Sequence, residues 1–263
     1  MAADALWAYC VVAADAPQPE GATAIEADHA LERVEAGGHA AVVSRVPLAE
    51  YGEEPLRRNL NDFAWLERVA RRHEGVLEAA LAQTTVVPLR MCTIFADEDG
   101  VSRMLEEQRE TVAAALEAFR GRDEWAVKVL ADRGAIEEAA RALDPALVPE
   151  EPAGQGSGAA YFGRRRAEQQ VREAADQLTA DVAEDVHTRV RQLAAGAVVN
   201  RPQSRTISGY EGDMILNAAY LVDRSRAGGL SALVAELQHR YGTLGARVEL
   251  SGPLPPFNFT VPA

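Results

Sequence analysis

The sequence predicts an α+β protein of two domains. Three observations carry that reading. From Asn59 to Phe95 an amphipathic helix runs directly into a β-branched strand, which layers a helix on a sheet. From Asp144 to Gly158 the run DPALVPEEPAGQGSG is too rich in proline and glycine to hold a regular element, so a boundary is expected there. Beyond it a long helical pattern is followed by further strands. The expected division is an N-terminal α+β domain over 1–143, a linker over 144–159, a C-terminal domain over 160–250 and an extended Pro-rich tail over 251–263.

The elements follow in order. Leu6 to Val12 is an apolar first strand with Trp7 and Tyr9 on one side, ended by the turn-rich DAPQPEG. Ile25 to Ala36 reads as a short helix. Gly37 and Gly38 make a turn, and His39 to Val46 is a strand stopped by Pro47. In the next helix Phe63, Leu66, Ala70, Leu77 and Leu81 recur at helical spacing, with Asn61 or Asp62 as N-cap. Thr84 to Val87 and Thr93 to Phe95 then read as strand around Pro88, Leu89 and Arg90. Asp99 to Phe119 is a second amphipathic helix, stopped by Gly121. Glu124 to Leu130 alternates Trp125, Val127 and Val129 against Glu124, Ala126 and Lys128, a strand expected to close the first sheet, and Gly134 to Leu143 is helical.

In the second half, Ala160 to Ala195 carries Leu178, Val182, Val186, Val190 and Leu193 on one stripe of the longest helix in the chain. Strands at Val198–Val199, Met214–Val222 and Ala246–Leu250 surround a helix at Leu230–Tyr241, a pattern compatible with a ferredoxin-like domain. The tail SGPLPPFNFTVPA is barred from a helix by Pro253, Pro255 and Pro256, yet Leu254, Phe257 and Phe259 are apolar and need a surface. A stiff segment loses little entropy on docking, so it is expected to pack across both domains.

Composition narrows the function classes. A net charge of −13 argues against a nucleic-acid partner, which requires concentrated positive charge. No apolar run approaches the ~20 residues of a membrane span, and MAADALWAYC lacks the basic and apolar regions of a signal peptide, so the cytoplasm is the expected location with no membrane partner. Cys10 and Cys92 lie in strand-like apolar runs and read as buried thiols. His73 and Glu74 begin like a zinc-protease helix, but Leu77 stands where the second histidine would be, so no metal is expected and His73 reads as a core histidine bonded to backbone. Lys128, the only lysine, and Arg90 suit structural ion pairs better than catalysis. The GQGSG run has neither a preceding strand nor a following lysine and is not a phosphate loop.

Four blocks then carry a resemblance: HEGVLEAALAQTTVVPLRMCTIF from His73, DEWAVKV from Asp123, NAAYLV from Asn217 and SGPLPPFNF from Ser251. In that order they resemble the gas vesicle protein F/L family over nearly the whole chain. Met91 and Cys92 depart from its usual Phe-Gly, and Leu254 and Phe257 from its Trp and Tyr. The resemblance implies an accessory component of the gas vesicle that associates with the small hydrophobic major wall protein and with other accessory proteins. It also implies an α+β N-terminal domain, a modified ferredoxin-like C-terminal domain and a tail that links them. It marks Trp65, His73, Glu74, Pro88, Arg90, Thr93, Trp125 and Lys128 as structural or interaction positions, and in the tail Gly252, Pro253, Pro255, Pro256, Phe257 and Phe259. No catalytic residue and no cofactor are implied. The rival from another class is an enzyme or small-ligand binder using a cleft between the domains.

Overall fold

The computed structural model of the chain describes residues 4–147, 157–202 and 212–260. Helix and sheet are mixed throughout, as expected. Among the described residues two compact units form: one holds the residues up to Glu124 and those from Pro253 onward, the other Trp125–Gly252. The boundary expected at 144–159 is therefore not where the chain divides. Residues 148–156 of that run lie outside the described set, while Ser157 already belongs to a helix.

In the first unit, β1 (Asp4–Ala13), β2 (Leu31–Ala36), β3 (His39–Pro47) and β4 (Val87–Pro88) form a sheet in the order β2-β3-β1-β4, and β5 (Ile94–Phe95) pairs with β1 further along. The pairings of β1 are antiparallel, with Val11 opposite Val87 and Trp7 opposite Ile94. β2 replaces the helix expected over Ile25–Ala36. It pairs residue by residue with β3, Ala36 opposite His39, across Gly37 and Gly38 at φ +59° and +84°. Two successive left-handed residues make the two-residue turn whose twist suits a hairpin, and that pairing outweighs the weak helical pattern of LERVEA.

A bulge between Ala8 and Cys10 in β1 inserts Tyr9 against its partner strand. Side chains alternate along a strand, so the extra residue reverses parity and lets Ala5, Trp7, Tyr9, Cys10 and Val12 all join one core. Against it packs α3 (Phe63–Leu81), begun by Asp62, whose carboxylate accepts from the N–H groups of Ala64 and Trp65. Its buried stripe is Trp65, Val69, His73, Val76, Leu77, Ala80 and Leu81, which keeps the expected Leu77 and Leu81 but is rotated from the expected one in the first half of the helix. Phe63 lies outside it, 88% exposed. Two short helices precede α3, α1 (Leu48–Tyr51) and α2 (Glu53–Asn59). The single helix expected over Asp99–Phe119 is two, α4 (Glu98–Glu107) and α5 (Arg109–Phe119), broken at Gln108 where φ is −99° and ψ 11°.

The second sheet has the order β7-β8-β6-β9, made by β6 (Arg122–Ala131), β7 (Gly196–Val199), β8 (Asp213–Asp223) and β9 (Ala246–Leu254). β6 does not close the first sheet. It lies between β8 and β9, and its Val127 and Val129 belong to the second core. Alternation reveals that a segment is a strand but not which sheet it enters. After β6 come α6 (Arg133–Leu143) and α7 (Ser157–Arg191), and α8 (Ala227–Gly242) joins β8 to β9. On α7 the expected stripe holds: Val182, Val186 and Val190 are buried against Tyr220, Leu230 and Leu237.

Candidate functional site

The residues singled out in the sequence sort into three places. The first is a buried aromatic cluster around His73, which is 2% exposed. The Trp7 indole N–H donates to His73 Nδ1 at 3.0 Å, so Nδ1 is unprotonated and Nε2 carries the hydrogen that reaches the Leu89 carbonyl at 3.1 Å. The Tyr9 ring stacks on the imidazole with centroids 5.5 Å apart. Burial lowers the His73 pKa to about 4, so the ring is neutral at pH 7. With both nitrogens engaged it holds β1, α3 and the β4 segment together and has no lone pair to offer a metal. Trp65 donates its indole N–H to Glu50 at 2.7 Å, which Arg68 also meets at 3.0 Å. Glu74 is exposed, on the other side of α3.

The second place is a cavity of about 630 Å³ inside the first unit, between the β4–β5 segment and α5. Val11, Val87, Val112 and Phe119 form its floor, all buried. Ala114, Ala115 and Ala118 of α5 make one wall, and Phe259 and Thr260 of the tail contribute another part of the lining. Pro88, Arg90, Thr93 and Phe259, from separate blocks of sequence, thus converge on one feature. Sequence reasoning did not find the cavity, and the alanines were its faint signal: Ala114, Ala115 and Ala118 line it with Thr111 from one helix. The Thr93 hydroxyl donates to the Arg90 carbonyl at 2.7 Å and fixes the turn before β5. In that turn Cys92 has φ +68°, the left-handed region that favours glycine. It is therefore not in a strand. Burial pushes its thiol pKa up, and full burial pushes that of Cys10 up to about 12.

The third place is the tail. Pro255 and Pro256 are buried, Phe259 is half-buried, and Phe257 is 39% exposed rather than seated in a groove. Asn258 donates its backbone N–H to one oxygen of Glu124 at 2.8 Å and its side-chain amide to the other at 2.6 Å. Glu124 is 2% exposed, and the sequence reading had given it no role. In the second unit, Trp125 packs partly buried on the second core, Lys128 is half-buried, and Gly252 is exposed at φ +146° beside exposed Pro253. Among the described residues no group of three or more His, Cys, Asp or Glu side chains is placed to hold a metal.

This geometry offers an apolar recess, a pinned tail and a closed histidine. The family model described as "Gas vesicle synthesis protein GvpL/GvpF" matches residues 5–261. The chain belongs to the GvpL/GvpF family. Among GvpL/GvpF relatives, gas vesicle protein L of Streptomyces sp. (strain CB03234) is 37% identical over 250 residues, 93% of this chain and 88% of that one. Gas vesicle protein F of the same organism is 30% identical over 230 residues, 85% and 84% of the two chains. The GvpL/GvpF fold is also that of solved structures. Crystal structures of GvpF from Anabaena sp. PCC7120 and from Microcystis aeruginosa each superpose with a TM-score of 0.70 at 19% identity. They cover 99% and 98% of this chain, and 97% and 99% of their own. A gas vesicle-related role follows from family membership.

Proposed function

We propose that the protein is an accessory component of gas vesicles that binds the major wall protein and supports vesicle nucleation or assembly, alongside other gas vesicle proteins. The observation that carries this is the apolar cavity of the first unit, on which Pro88, Arg90, Thr93 and Phe259 converge. A protein that handles a small hydrophobic wall subunit needs an apolar surface, and a recess of this size lies within the usual range of about 300–1,000 Å³ for binding sites. Among the described residues no helix is long and apolar enough to cross a membrane, so the apolar lining is not part of a helical membrane span.

The architecture proposed with it is a two-domain chain in which β6, α7, β7, β8, α8 and β9 supply a ferredoxin-like second domain. The strand order β7-β8-β6-β9 supports this, since in a βαββαβ unit the first strand lies between the third and the fourth. Trp65, His73, Trp125 and Lys128 serve packing and position, and Pro255, Pro256 and Phe259 set the tail. The test is deletion of the gene in a vesicle-forming host followed by complementation. Loss of vesicles on deletion, restored by the intact gene, is expected. Normal vesicles in the deletion strain would contradict the role.

A further inference from the structure

We propose that the cavity between β4 and α5 docks an extended or helical segment rich in aliphatic side chains that presents a carboxylate to Arg90, supplied by the wall protein. This rests on the binding function proposed above and names its site. The lining is mostly apolar, so an apolar segment seated in the recess takes the accessible surface of Met104, Ala114, Ala118 and Phe259 out of water above a buried floor. Among the described lining residues Arg90 bears the one charge, and no described side chain pairs with its guanidinium. In a chain of net charge −13, an unpaired arginine at the edge of an apolar recess selects an anion on an otherwise apolar body.

Other chemistries fit worse. A cation finds no carboxylate in the lining. A sugar finds few free hydroxyls, because Thr93 donates to the Arg90 carbonyl and Thr260 to that of Phe257. A polyphosphate would meet one arginine and no glycine-rich loop. A polypeptide fits best for two further reasons. Ala114, Ala115 and Ala118 lack the bulk that would keep a second backbone away from α5. And β4 is the last strand of its sheet, leaving an edge beside the cavity.

The test uses the full chain and purified wall protein, with affinity measured for wild type and for folded variants of unchanged melting temperature. Ala118 is exposed, so Ala118→Trp fills the recess without disturbing the core and is expected to weaken binding about tenfold or more. Gln108→Glu places a carboxylate at the rim. Like Arg90→Gln, it is expected to weaken binding up to about fivefold. Wild-type affinity in Ala118→Trp, or in both rim variants, would overturn the site while leaving the proposed function standing. Failure of the wild-type protein to bind the wall protein at all would overturn both. If dodecanoate competes fully at stoichiometric concentration, the recess is a fatty-acid site and the polypeptide assignment is overturned.

Discussion

Asn258 donates two hydrogen bonds to the carboxylate of Glu124, 134 residues earlier in the chain. Burial raises the Glu124 pKa above the ordinary carboxylate range, and these two bonds pull it back. A carboxyl whose folded pKa is raised gives stability present below its unfolded pKa and lost as pH rises through the folded one. Asn258→Ala is therefore expected to raise that pKa further and to cost about 1–3 kcal/mol at neutral pH. An NMR titration of Glu124, paired with denaturant melts, reads both. An unmoved pKa would show that the bonds do not form in solution.

His73 works in the opposite direction. Its pKa is lowered from 6.5 to about 4, because burial penalises the imidazolium. Stability from the neutral ring is present above pH 6.5 and is lost as pH falls toward about 4, amounting to about 3 kcal/mol. Urea melts across that window should show the loss, and His73→Gln should flatten the slope while lowering stability at pH 7. An equally steep slope in the variant would place the sensitivity elsewhere.

Cys92 sits at φ +68°. A left-handed conformation costs a side-chain-bearing residue about 1–2 kcal/mol. Cys92→Gly removes that strain but gives back about 0.5–1 kcal/mol of backbone entropy. A net gain of up to about 1.5 kcal/mol is expected in thermal or chemical unfolding, and a net loss would mean that thiol packing outweighs the strain.

On α3 the buried face decides the cost of truncation. Leu77 is fully buried, so Leu77→Ala should cost about 2–5 kcal/mol. Phe63 is 88% exposed, and Phe63→Ala should change stability by less than about 0.5 kcal/mol. Equal costs would place Phe63 on the core face.

Those two residues also show where the sequence was legible. Apolar spacing located α3 and its N-cap, yet Phe63, Leu66 and Ala70 suggested a stripe offset from the real one, because Trp65 and His73 are the residues packed inward. His73 was readable as a core residue: one histidine on an apolar helix face, with no second ligand one turn on. The valine stripe of α7 survived intact because a long helix repeats its pattern enough times to average out exceptions. β6 was found as a strand but assigned to the wrong sheet, since only pairing across more than eighty residues to β8 places it. Glu124 was passed over for the same reason, its partner lying in the tail. The cavity needed four separated segments to meet, around Val11, Val87–Thr93, Met104–Phe119 and Phe259–Thr260, and local periodicity carries no record of that.

The measurement closest to the central claim is the affinity of the intact protein for the purified major wall protein at about 0.1 M and about 1 M salt. Over that range the screening length falls from about 10 to about 3 Å, which removes charge steering but leaves apolar contact intact. Binding through the recess of the first unit predicts an affinity that survives, reduced no more than about fivefold by weakening of the Arg90 pair. Loss of binding at moderate salt would contradict the apolar mechanism and put charge complementarity in its place.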